Sequence, residues 1–180
     1  MNKKARVILT TDCTRKCDSC VNTFESVQKR AIPLRSIYDL PLTGGEAYKE
    51  IIITGGEPLL EPGLLLALIR YIYSYGSGQR IYLYTSIYTP ELRDFRRVID
   101  GITYSIHYPY TKRDKDDFLS MQARLTYERW PSPRLIVDDR VYVSRLSANV
   151  WRRIDRITWF TEKENPACIP PGEDLYIYRP

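Results

Sequence analysis

This 180-residue sequence is short of the residues that most often carry chemistry, with one histidine, four cysteines and two methionines. Any imidazole chemistry must therefore come from His107. Long hydrophobic runs are also missing. The longest, around Leu59–Ile72, is broken by Glu61, Pro62 and Arg70, whereas a membrane span needs ~20 apolar residues. The start, MNKKARVILTT, has too few apolar residues for a secretory signal core of roughly 7–15, so a cytoplasmic protein is expected. No long repeat and no low-complexity segment occurs. Charge of one sign is not strongly in excess: 27 lysines and arginines against 22 acidic residues give +5, which tolerates a polyanionic partner without demanding one. What is present is ordinary for a folded domain, with 43% hydrophobic and 27% charged residues, which excludes wholesale disorder. Fifteen tyrosines suit half-buried surfaces.

The cysteines decide more than the bulk numbers. Cys13, Cys17 and Cys20 fall within eight residues, and Cys168 lies far away near the end. Disulfide frameworks spread their staples through a secreted chain; a tight trio without a secretory signal reads as ligands of a metal or cluster.

The chain alternates strand-like and helix-like segments. Ala5–Thr10, Glu50–Thr54, Arg80–Thr85, Gly101–His107, Leu135–Val137 (with a possible extension to Val143) and Arg156–Phe160 read as six strands. Residues 21–50, punctuated by Pro33 and Pro41, leave room for a short helix at most. Leu65, Leu68, Ile69 and Ile72 form the apolar face of a helix from about Glu61 to Tyr75, with Pro62 in its first turn and Gly76 at its end. Thr89-Pro90-Glu91 opens another helix, with Leu92, Phe95, Val98 and Ile99 as its stripe. Thr111 to Asp114 resembles a capping box, followed by Phe118, Met121 and Leu125 at helical spacing. Ser147 can cap a short helix.

Such alternation argues a parallel sheet with right-handed crossovers. A closed eight-unit barrel takes roughly 250 residues, so this length allows about six units. The expected fold is a partial (β/α)6 barrel, with a core over residues 1–160 and an irregular, proline-rich tail over 161–180. Ligands then belong at the carboxyl ends of the strands. Cys13, Cys17 and Cys20 follow the first strand, Gly55-Gly56-Glu57-Pro58 the second and Ser86 the third, while His107 ends the fourth.

Three thiolates can hold three irons of a cubane cluster that normally has four protein ligands, leaving one iron open. Arg15 and Lys16 between them would offset part of the thiolate charge. Structural zinc, with His107 or Cys168 as fourth ligand, is the plainer alternative, although zinc sites usually show paired cysteines. Gly55-Gly56-Glu57-Pro58 has a near-copy at Thr43-Gly44-Gly45-Glu46, but only the former follows a strand, Ile51-Ile52-Ile53.

Cys13-Thr-Arg-Lys-Cys17-Asp-Ser-Cys20 together with Gly55-Gly56-Glu57-Pro58 resembles the radical S-adenosylmethionine (radical SAM) superfamily, over roughly residues 5–140. The resemblance implies a radical SAM type partial barrel and a 4Fe-4S cluster on Cys13, Cys17 and Cys20. SAM would bind at the open iron and be cleaved reductively to a 5′-deoxyadenosyl radical that abstracts hydrogen from a substrate. It implies Gly55, Gly56, Glu57, Pro58, Ser86, Ser105 and His107 as SAM-side residues, and an electron donor such as flavodoxin or ferredoxin. Tyr108, Tyr110, Lys112 and Arg113 could line the substrate opening. Two departures stand out. Ser19 occupies a position that is often aromatic, and Leu135–Arg145 lacks the usual late glycine-rich and acidic motif. Too few cysteines remain for an auxiliary cluster, and Cys168 most resembles an inert extra thiol.

The substrate is open. Small size, Ser19 and Cys20-Val21-Asn22 resemble the anaerobic ribonucleotide reductase activases, which make a glycyl radical on a partner enzyme; Glu57 stands where those chains usually have Asp. A reading of another class is an iron–sulfur binding module without catalysis. Five arginines between Arg140 and Arg156, against one carboxylate there, Asp155, form the one stretch that could meet nucleic-acid phosphate. A six-stranded barrel leaves one flank open, to be covered by the tail and by a substrate or partner protein. Removing the tail would then uncouple SAM cleavage and leave the cluster in place.

Overall fold

In a computed structural model, residues 3–15, 17, 19–43, 48–76, 78–163 and 172–180 are described. Among them, eight strands form one open sheet: β1 (Lys4–Ile8), β2 (Ile32–Leu34), β3 (Glu50–Thr54), β4 (Arg80–Thr85), β5 (Gly101–Ile106), β6 (Pro133–Asp138), β7 (Arg153–Ile157) and β8 (Glu173–Tyr178). Their order is β2-β8-β1-β3-β4-β5-β6-β7, and every pairing is parallel. The α/β class and the open parallel sheet match the expectation. The strand number does not: eight stand where six were expected.

Both additional strands lie on the side of β1 away from β3, β8 next to β1 and β2 beyond it. Tyr176, Ile177 and Tyr178 of β8 pair with Ile32, Pro33 and Leu34 of β2. The last stretch of the supposedly irregular tail is therefore an internal strand. Leu175 and Ile177 pack with Ile8, Phe24 and Val27 on one face, and Tyr176 joins the main core on the other. Burial on both faces explains why Leu175–Tyr178 shows no alternation of polar and apolar residues. The other differences are smaller. β7 lies three residues earlier than expected, because Trp159 and Phe160 leave the sheet. The extension toward Val143 is cut by a turn at Asp139 and Arg140.

The helices follow their sequence signals. α2 (Pro62–Tyr75) starts on Pro62 and buries Leu65, Leu68, Ile69 and Ile72. α4 (Lys112–Tyr127) starts from a formed capping box: the Thr111 hydroxyl accepts from the Asp114 amide, and Asp114 accepts from the Thr111 amide. α3 (Leu92–Phe95) is shorter than expected. α1 (Glu25–Arg30) fills the place left for a short helix. Ser147 precedes a 3₁₀ turn, Ala148–Val150, but its side chain makes no capping bond. Tyr104, Phe118 and Trp151 pack together between β5 and α4. Among the described residues no helix is long and apolar enough to cross a membrane.

Candidate iron–sulfur and cofactor site

In a parallel sheet all strands end on one rim, and the first two loops of this rim are fastened to each other. Beyond β1 and β3 the ladder continues irregularly: the Leu9 amide donates to Thr54 O (2.8 Å), Gly56 to Thr10 O (2.7 Å) and Glu57 to Asp12 O (2.7 Å). The glycines are required for this approach. A Cβ on Gly56 would lie 2.1 Å from Asp12 O, and one on Gly55 would lie 2.5 Å from Thr10 O. The glycine segment thus carries the cysteine loop on its back, in addition to any face it offers a ligand.

Cys13, Cys17 and Cys20 are free thiols of intermediate exposure. The Arg15 amide donates to Cys13 Sγ at 3.3 Å. Burial pushes the Cys13 and Cys17 thiols up, and Arg15 pulls Cys17 back by charge and hydrogen bonding. Arg15 also has a second task. Its guanidinium pairs with Asp114 Oδ1 at 2.9 Å and donates to the carbonyls of His107 (3.1 Å) and Pro109 (3.2 Å), tying the cysteine loop to the start of α4. Both partners are largely buried, so removing either would strand a charge. Lys16, the near-copy at Gly44–Glu46 and Cys168 lie outside the described residues.

Asn22 reaches across from the turn after Cys20, and its Nδ2 donates to Gly55 O at 2.5 Å. The Asn22 carbonyl in turn accepts from Gln28 of α1, whose Oε1 accepts from Arg179 just past β8. The C-terminal strand is thereby linked to the glycine loop through side chains.

Glu57 is completely buried. Its carboxylate accepts from Thr85 Oγ1 (2.7 Å), the Ser86 amide (2.9 Å), Ser86 Oγ (3.3 Å) and the Leu59 amide (3.2 Å). Burial pushes its carboxyl above the usual range, and these donors oppose the shift. The geometry gives Glu57 and Ser86 to each other, locking the loops after β3 and β4. Pro58 is buried at the start of the next 3₁₀ turn and does not reach the cavity lining.

A cavity of about 310 Å³ opens here. Cys13, Cys17, Cys20, Gly55, Gly56, Glu57, Ser86, Ser105 and His107 all line it. A second space, about 580 Å³, shares the three thiols, Arg15, Asn22 and Gly56 with it. The His107 ring packs at a tilt against Trp159, with 4.5 Å between ring centres, and burial brings its pKa down to about 4, with Arg15 acting the same way and Asp138 and Asp114 opposing. It is neutral at pH 7. Tyr108, Lys112 and Arg113 are exposed, and they and Tyr110 do not line the cavity. Of the late arginines, Arg140 and Arg153 pair with Asp138 and Asp155, Arg152 donates to Ser132 and Arg156 to Val141 O.

Sequence reasoning overlooked Arg6, Tyr84 and Trp159 in the cavity wall. Arg6 did leave a signal, a charge between Ala5 and the apolar run Val7-Ile8-Leu9.

The donor set fits an iron–sulfur cluster. It offers three free thiols on one loop, held by backbone contacts too tight for any side chain. Among the described residues no three His, Cys, Asp or Glu side chains converge as ligands of a single ion would. A cubane instead spreads its thiolates over separate irons. A family model described as "4Fe-4S single cluster domain" matches residues 4–127, more than half of the chain. The chain belongs to this family, the domain of radical SAM-type proteins, and is a 4Fe-4S cluster-binding protein. No curated protein matches it.

Proposed function

We propose that this protein is a radical SAM enzyme, with the cluster on Cys13, Cys17 and Cys20 and the sheet curved as a partial barrel around SAM and substrate. The observation that supports this best is the shared cavity: the three thiols, Gly55, Gly56, Ser86, Ser105 and His107 line one space. At about 310 Å³ it is at the lower end of small-ligand sites. Bound cluster and SAM would together supply a 5′-deoxyadenosyl radical for hydrogen abstraction, given one electron from a donor such as flavodoxin or ferredoxin.

The chain's own residues prepare the site. Asn22 fixes the Gly55 carbonyl, and Glu57 fixes the loop bearing Ser86. Arg15 anchors the cysteine loop through Asp114. His107, uncharged, offers a ring that packs on Trp159 and nitrogens that can hydrogen-bond a ligand. Trp159, Ile136 and Leu175 give the cavity an apolar wall that excludes water from a reactive intermediate.

The test is anaerobic reconstitution. The protein should bind about four irons, bind SAM, and release 5′-deoxyadenosine with a strong reductant. Cys17→Ala should lose most of the iron. A cluster-loaded protein that neither binds nor cleaves SAM would leave only the iron–sulfur binding module.

A further inference from the structure

We propose that Arg6 is the anchor of a substrate subsite for an anionic group, a carboxylate or a phosphate, on the cavity wall; this deepens the radical SAM reading and rests on it. Arg6 sits in the middle of β1, two residues before Ile8, while the cysteines follow the end of the strand. One strand thus presents both the anchor and, beyond its end, the cluster loop. At roughly 3.3 Å per residue, Arg6 lies well below the rim.

The guanidinium is held in place from two sides. Its Nε donates to Glu173 Oε2 of β8 at 2.8 Å, and its Cζ lies over the Tyr84 ring of β4, 5.2 Å from the ring centre. Only one of its nitrogens is used in this way. Among the described residues the two terminal nitrogens donate to no protein acceptor. Glu173 does not line the cavity, whereas Arg6 and Tyr84 do. The ion pair therefore turns its cationic side toward the ligand space and its anionic side away. The other charged groups of the lining are already committed: Arg15 to Asp114, and both oxygens of Glu57 to four donors. An arginine with a fork free, oriented by a carboxylate and an aromatic face, matches the geometry of a carboxylate or phosphate.

The rest of the wall sets the kind of molecule. Ile136, Leu175 and Trp159 are apolar, and Ser105 and Thr54 add small polar contacts. A substrate with an anionic end at Arg6 and an apolar body would extend toward the cysteine end. The anchor thus selects which part of the molecule meets the radical. A glycyl-radical activase admits a backbone segment, which brings no such anion, so the subsite argues for a small acidic substrate.

The experiment uses cluster-loaded full-length protein and calorimetric titration with phenyl phosphate, phenylacetate and, as neutral control, benzyl alcohol. One of the two anions should bind saturably and the alcohol should not; which anion wins distinguishes phosphate from carboxylate. Arg6→Gln should weaken the anion at least about tenfold, by loss of charge-assisted hydrogen bonds. The double variant Arg6→Gln with Glu173→Gln, which leaves no unpaired buried carboxylate, should do the same with the fold intact by circular dichroism. SAM is titrated in parallel. Equal anion binding by wild type and both variants, or none by wild type, overturns the subsite. So does loss of SAM affinity in both variants with the anions displaced by SAM, since Arg6 would then hold the cofactor's carboxylate. Failure of wild type to bind SAM strikes the enzyme reading instead, and the anion titrations still decide the subsite.

Discussion

Gly56 shows how little room separates the two loops of the site. The atoms its Cβ would meet, 2.1 to 2.6 Å away, all belong to the backbone of Thr11 and Asp12, immediately before Cys13. The family resemblance implies Gly56 as a SAM-side residue; the structure adds a role in seating the cysteine loop. Gly56→Ala should therefore lower iron content as well as SAM binding, with at least half of the iron lost on reconstitution. Gly63→Ala is the control: its Cβ meets nothing, and a helix gains roughly 0.5–1 kcal/mol from the change. Iron per chain and the thermal midpoint of both variants check this. His107 supplies a second prediction. Its folded value of about 4 lies below the ordinary 6.5, so between these values the unfolded chain binds a proton that the folded chain refuses. Its stabilising share is complete above pH 6.5 and is lost as pH falls toward 4, by up to about 3 kcal/mol. His107→Gln should flatten the stability profile in that window by urea titration, and the contribution of Glu57 cancels in the difference. The cysteine trio was legible by its spacing, and the glycine segment by the apolar run Ile51-Ile52-Ile53 before it. The partners of Arg15 and the place of Arg6 were not, because they depend on β5, α4 and β8 arriving from distant parts of the chain.

Among the elements, β8 changes the argument most. The central strands announce themselves as apolar runs between turn residues, and β1, β3, β4, β5 and β6 lie where those runs place them. β2 hides behind Pro33, a residue at home on a sheet edge, and it is only three residues long. β8 hides behind the prolines that precede it. Its Leu-Tyr-Ile-Tyr stretch is nevertheless rich in strand-forming residues. Because β8 lies between β2 and β1, the tail cannot be removed without cost. Deleting residues 173–180 should abolish cooperative unfolding and cluster retention together, where an irregular cover would have left both intact. A gentler variant, Ile177→Ala at a fully buried position, should cost about 2–5 kcal/mol and lower the urea midpoint. Retention of a stable cluster by the deleted chain would mean that β8 is dispensable.

For the molecule as a whole, the sheet protects itself unevenly. Its edges are the short β2 and the charged β7, with Arg153, Asp155 and Arg156, both poor templates for pairing with another chain. Hydrogen exchange followed by mass spectrometry should find β3, β4 and β5 slowest and β2 and β7 fastest. The strand order also sets a timetable. The cysteine loop and β1 leave the ribosome well before β8, the strand that flanks β1. Until residues 173–178 appear, β1 is paired on its β3 side alone. Phe24 and Val27 of the segment behind the cysteines have no Leu175 or Ile177 to pack on. Such sequence-distant pairing forms late. Iron and sulfide offered before β8 has paired would meet three thiols on an unsupported loop, so cluster loading belongs after β8 has joined the sheet.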